Sequence, residues 1–225
     1  MNTLEIVIFL YDGMTALDAI GVYEVLRLIP DARVRFVARE KGAIAMDSRM
    51  LSLVAEAAIA EIQRADILVI PGGATTHTVM QDQTVVEWVR RIHDTTKWTV
   101  SVCTGSGLLL KANLLEGQPT TTHWGSLRYI EELGGKPTHQ RVVRSGKIIT
   151  AAGVSAGIDL ALMLVALERD EMLAKAIQLA IEYDPQPPFD SGAIDKATTE
   201  VKQKASELLT ANAQRASSTG SQPLK

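Results

Sequence analysis

The sequence predicts an α/β fold of the flavodoxin-like kind, a three-layer sandwich around a mostly parallel sheet. Strand-like and helix-like segments alternate along the chain. Residues 66–70 read as a short apolar run and 99–102 as another buried strand, as expected of parallel strands covered on both faces. A strand also stops at Cys103 and gives way at once to a helix with Gly105 and Gly107 at its start. That is the pattern of a nucleophile elbow, where a sharp strand-to-helix turn lifts a reactive side chain above the sheet.

Taken in order, residues 5–10 read as the first strand. Residues 15–28 read as a helix with Leu17, Ile20, Val25 and Leu28 spaced to face a core. A strand over 33–38 and a helix over 57–64 follow. The run 66–70 ends at Pro71-Gly72-Gly73. A helix spans 84–93, a buried strand 99–102, and helices 105–115 and 125–133, the last stopped by Gly134-Gly135. Ser145-Gly146 between residues 142–144 and 147–150 signals a hairpin. Helices over 155–167 and 171–181 close this part. The proline-rich stretch from Asp184 to Phe189 is extended, residues 197–211 form a polar helix, and 217–225 read as a disordered tail. One catalytic domain over 1–195 with a C-terminal extension over 196–225 is expected.

The 225 residues carry a net charge of −3, with 46% hydrophobic and 22% charged residues. This is the composition of a soluble globular protein, with no electrostatic footprint for nucleic acid or an anionic membrane. No apolar run approaches the roughly 20 residues of a membrane span. The N-terminus lacks the basic and small-residue regions of a signal peptide, so a cytoplasmic protein is expected. Cys103 stands alone, which leaves no intrachain disulfide, and no set of His, Asp and Glu has metal-ligand spacing. Neither a metal nor another cofactor is expected, since Pro71-Gly72-Gly73 is far from a dinucleotide fingerprint.

A lone cysteine is either a small buried hydrophobe or a reactive thiol. The elbow favours the second: the following helix aims free N–H groups and its positive end at the sulfur, which promotes the thiolate and offers an oxyanion site. These residues, with Leu17-Asp18, Ile70-Pro71-Gly72-Gly73, Thr121-Thr122-His123-Trp124, Gly153-Val154-Ser155-Ala156-Gly157-Ile158-Asp159 and Glu182-Tyr183 before Pro185, resemble the ThiJ/PfpI superfamily. The ordered set runs from the first strand to about residue 195 and is most similar to the isocyanide hydratase branch.

The resemblance implies that Asp18 lies against Cys103. A carboxyl beside a thiolate has a raised pKa and serves as a general acid; a helix-stabilising carboxylate in a first turn is the structural alternative. The resemblance likewise directs the amides of Gly73 and Thr104, with Gly72 in the same turn, at the reacting centre. His123 stands open between a pocket wall and a structural histidine, whereas His77, His93 and His139 read as surface or loop residues. In the protease-like branch a histidine directly follows the cysteine; Thr104 here argues against a peptidase or deglycase triad. What the resemblance implies overall is a cysteine-dependent hydratase, a carbon–nitrogen lyase by class. Cys103 attacks an electrophilic isocyanide carbon, Asp18 protonates the developing charge, and water releases an N-substituted formamide from a covalent thioimidate. A homodimer with a small-molecule substrate and no nucleic-acid partner is implied. The alternatives are glyoxalase- or deglycase-type chemistry, redox sensing at Cys103, or a ligand-sensing domain like those of transcription regulators.

Overall fold

The structure is a computed structural model that describes residues 3–218. In chain order the elements are β1 (Leu4–Phe9), α1 (Ala16–Leu26), β2 (Ala32–Ala38), β3 (Gly42–Ala45), β4 (Ser52–Ala55), β5 (Ala57–Ala58), β6 (Ile67–Ile70), α2 (Thr76–Val79), α3 (Gln83–Thr95), β7 (Trp98–Val102) and α4 (Gly105–Lys111). They continue with β8 (Pro119–Thr120), α5 (Leu127–Glu132), β9 (Lys136–Pro137), β10 (Val142–Ser145), β11 (Ile148–Ala151), α6 (Ala156–Glu168), α7 (Glu171–Ala180) and α8 (Thr199–Ser218).

Seven strands form the central sheet in the order β10-β11-β7-β6-β1-β2-β5. All neighbours run parallel except β10 and β11, which make the hairpin read at Ser145-Gly146. Every residue of β6 and β11 is buried, so β6 is an unbroken apolar run and neither strand alternates between a buried and an exposed face. Helices α1, α6 and α7 pack on one another as one layer, and α2, α3, α4 and α5 as the other. In α3, Val85, Val86, Trp88, Val89 and Ile92 form the buried stripe, and Asp82 caps the start by accepting from the Thr84 and Val85 amides.

The chain leaves β1 for β2 on one side and returns to β6 on the other. That reversal opens a crevice beyond the carboxyl ends of these strands, where doubly wound sheets bind ligands. The segments after β1, β6, β7 and β11 all end there.

Four expectations are corrected. Of the residues read as the core face of the first helix, Leu17 is 41% exposed, Ile20 and Leu28 are half-buried, and Val25 alone is fully buried. Residues 57–64 are not a helix: Ala57 and Ala58 extend the sheet edge beside Val37 and Ala38, followed by a single 3-10 turn at Ile59–Glu61. Burial of Ile59 and Ile62 three residues apart suits that turn as well as it suits a helix. The helix at 105–115 stops at Lys111, with Asn113 in the left-handed region (φ 60°). The C-terminal helix runs to Ser218, so Ser217 and Ser218 are helical, while the rest of the expected tail lies outside the described residues. The antiparallel pair β3–β4 was not anticipated. Among the described residues no helix is long and apolar enough to cross a membrane.

Candidate active site

Cys103 occupies the turn between β7 and α4 with φ 58°, a left-handed conformation that non-glycine side chains rarely adopt. Its N–H is shared between the carbonyls of Ala151 (3.1 Å) and Ala152 (3.0 Å), and its own carbonyl accepts from the Thr122 hydroxyl (2.9 Å). The turn is thus held in a conformation it would not choose, as is common where a side chain must be aimed. Val154, just beyond β11, is a second such residue at φ 44°, and a β-branched one. The backbone N–H groups of Thr104 and Val154 favour the charged form of the Cys103 sulfur. Gly105 makes the turn possible, since a Cβ there would lie 2.2 Å from the Ile70 carbonyl oxygen.

Asp18 reaches the same point from the first turn of α1 and is fully buried. Its Oδ2 accepts from the Gly72 N–H at 2.9 Å, while Oδ1 has no hydrogen-bond partner among the described residues. Gly72 admits no side chain, because a Cβ would fall 2.5 Å from the Thr104 nitrogen. Burial pushes the Asp18 carboxyl up to about 7, and the nearby Asp47 charge adds to this, against the opposing pull of the Gly72 amide and the Cys103 thiol. Burial, then Asp18, pushes the Cys103 thiol well above its usual range. Two acids so placed hold at most one negative charge near neutrality. The sequence points to a thiolate; the Thr104 and Val154 amides favour it, and burial opposes them by raising the thiol pKa. A raised Asp18 pKa was expected, but its main cause is loss of solvent rather than a neighbouring thiolate.

Gly73 and Thr104 are brought together, though not with both amides open. The Gly73 N–H donates to Thr104 Oγ1 at 2.9 Å. That hydroxyl pairs with Thr76 Oγ1 (2.7 Å), which pairs with the Tyr11 hydroxyl (2.8 Å), which also donates to the Pro71 carbonyl (3.1 Å). Sequence reasoning passed over Tyr11 and Thr76, and it marked Val154 only as part of the glycine-rich motif, without its backbone role. Nothing local marks these roles, since each acts through a partner more than 25 residues away.

Above Cys103 lies a cavity of about 420 Å³ with mostly apolar walls. Its floor is Cys103, Thr104 and Gly73, its sides include His123, Tyr129, Ile130 and Val154, and α8 closes it with Leu209, Asn212 and Ala213. No Asp, Glu, Lys or Arg lines it. His123 is a wall of this cavity and of a second, of about 260 Å³, on its other side. Its Nδ1 accepts from the Gly125 N–H (3.2 Å) and burial lowers its pKa, so the ring is neutral. Gly153 makes room for it: a Cβ there would meet the ring at 2.5 Å. His77, exposed on α2, also borders the main cavity and His139 the second, while His93 is half-buried on α3 against the Thr99 hydroxyl (2.9 Å), so the reading of these three as surface or loop residues fails for His93. Among the described residues no group of three His, Cys, Asp or Glu is placed to hold a metal.

Residues 4–167 match the sequence profile of the DJ-1/PfpI family. A Pseudomonas putida protein named isonitrile hydratase is 36% identical over 202 residues, covering 90% of this chain and 88% of its own. The crystal structure of a ThiJ/PfpI family protein from Pseudomonas syringae superposes with a TM-score of 0.89 at 32% identity, over 96% of this chain and 90% of that one. Schizosaccharomyces pombe DJ-1 shares the fold at 20% identity, with a TM-score of 0.70 over 81% of this chain and all of its own.

Proposed function

The chain belongs to the DJ-1/PfpI family, and from that premise we propose that it hydrates isocyanides, also called isonitriles, to N-substituted formamides. The observation that carries this reading is a buried thiol at the cavity floor backed by a buried carboxyl whose pKa is about 7, under walls without charge. The likeness to the P. putida hydratase supplies the substrate class.

The chemistry balances with these two groups and one water. The Cys103 sulfur forms a bond to the terminal carbon of R–NC, and the electron pair displaced there takes a proton, giving the thioimidate R–N=CH–S–Cys103. Asp18 delivers that proton to carbon and recovers one from the thiol, so net S–H has added across the carbon. Water then adds to the C=N bond, nitrogen taking a proton, and collapse of the adduct expels the sulfur with its proton restored and frees R–NH–CHO. Covalent catalysis of this kind splits one slow hydration into two easier steps. The Thr104 and Val154 amides stabilise the sulfur as charge develops on it. Gly72 holds Asp18 in place, and Gly73 fixes Thr104 through its hydroxyl. His123, neutral, acts as wall. A proton on Asp18 is available near neutrality because its pKa lies near the working pH. We place the protein in the cytoplasm, acting on a diffusible small molecule.

The test is incubation of the purified protein with phenyl isocyanide, following N-phenylformamide, with Cys103→Ala alongside. Formamide from the wild type and none above background from the variant is the expected result. A folded wild type that makes none sinks the assignment, and turnover of a dicarbonyl in its place would move the same pair to glyoxalase-type chemistry.

A further inference from the structure

The C-terminal helix α8 is not used by the chemistry above, yet it completes the cavity. Leu209 and Ala213, one turn apart, face the space over Cys103, with Asn212 between them. The helix is pinned there from outside the sheet. Asn212 Nδ2 donates to Asp47 Oδ2 at 3.0 Å, and the Arg49 guanidinium donates to the Ala216 carbonyl. Asp47 also accepts from the Thr15 hydroxyl at 2.8 Å, and its N–H bonds the Met14 carbonyl at 2.9 Å. The segment that leads into α1 and Asp18 is therefore tied, through Asp47, to the helix that roofs the site.

We infer that α8 is the specificity wall of this site, with Leu209 and Ala213 setting the size of the N-substituent accepted over Cys103 and selecting uncharged, apolar ones. The inference rests on the hydratase reading for the name of the substrate, but the wall itself is defined by the cavity. Three facts support it. The cavity of about 420 Å³ lies at the small end of ligand sites, which span roughly 300–1,000 Å³, so a change in one wall residue alters what fits. No lysine or arginine lines it to meet an anionic substituent, and no aspartate or glutamate to meet a cationic one, so a charged group would lose its water without a partner. The reacting carbon must sit at Cys103, so the substituent on nitrogen points away from the floor and towards the roof.

The experiment compares wild type, Ala213→Trp and Leu209→Ala on methyl, cyclohexyl, phenyl and 4-carboxyphenyl isocyanide. Neither residue belongs to the buried core, Leu209 being 43% exposed, so both variants keep the fold. Wild type is expected to prefer the apolar rings and to refuse the carboxylate. Ala213→Trp is expected to lower kcat/KM for the rings by roughly tenfold or more relative to methyl isocyanide, the scale on which pockets discriminate single groups. Leu209→Ala is expected to relax the preference among the rings. In parallel, the ratio of Cys103 labelling by N-phenylmaleimide to that by N-methylmaleimide is measured by mass spectrometry. That ratio is expected to fall in Ala213→Trp whether or not isocyanides are substrates. A wild type without hydratase activity whose labelling ratio still shifts would remove the substrate and keep the wall. Variants that scale all substrates and both labels alike would overturn the inference.

Discussion

Asp18 couples stability to chemistry. Its carboxyl ionises near 3.8 in the unfolded chain and at about 7 when folded. Below pH ~4 both states hold the proton and there is no penalty. As pH rises towards 7 the unfolded state ionises while the folded one does not, so stability is lost, and above 7 the full penalty remains. A shift of about three units corresponds to about 4 kcal/mol. We predict that Asp18→Asn, which keeps an acceptor for the Gly72 N–H but cannot ionise, abolishes formamide formation and stabilises the protein. The gain in unfolding free energy should grow from near zero at pH 4 to a few kcal/mol at pH 8. Denaturant titrations at both pH values check this, and a gain independent of pH would show that burial of the charge is not what raises the pKa. The residues at this scale were partly legible. Cys103 and Asp18 carry chemistry in their side chains and sit at element junctions that pattern reveals. Val154 serves through its backbone N–H and Thr76 through a hydroxyl bridge, and neither contribution leaves a trace in residue type.

The elbow is held at the scale of elements, where β6 and α4 meet. Gly105 has an ordinary φ, so its need for glycine is purely one of space against the Ile70 carbonyl at 2.2 Å. Gly117 is the converse, with φ 68° and nothing within 4 Å of an added Cβ. Gly105→Ala must push α4 off β6 and should cost at least the ~1–3 kcal/mol of an overpacked core, with activity lost as Cys103 moves. Gly117→Ala should cost about 1 kcal/mol, from conformation alone, with activity retained. Equal costs in thermal or denaturant unfolding would refute the distinction. β6, buried on both faces, was readable because its hydrophobic run is local, and β11 because the Ser145-Gly146 turn beside it is. The turn at residues 57–64 was not, because pairing with β2 decides it. Nor was the docking of α8, whose anchor from Asn212 to Asp47 spans 165 residues.

Across the whole molecule, the site exists only because the chain reverses between β1 and β6 and brings well-separated stretches to one end of the sheet. Asp18 rides on α1, and Val154 precedes α6; these two helices pack against each other. Together they leave Leu17, Met163 and Leu167 exposed at 41%, 37% and 37%, apolar surface that a second copy of the chain would cover. The family resemblance led us to expect a homodimer, and this is the surface on which we expect it to form. Sedimentation equilibrium at micromolar concentration should return twice the 24.4 kDa chain mass. Met163→Glu, which sets a charge among those apolar groups, should shift the mass towards that of one chain. Because the same helices carry Asp18 and abut Val154, activity per chain should fall together with the dimer fraction on dilution. A single-chain mass for the wild type would sink the dimer. A dimer whose mass Met163→Glu leaves unchanged would place the interface elsewhere and leave α1 and α6 to position the site without help from a partner.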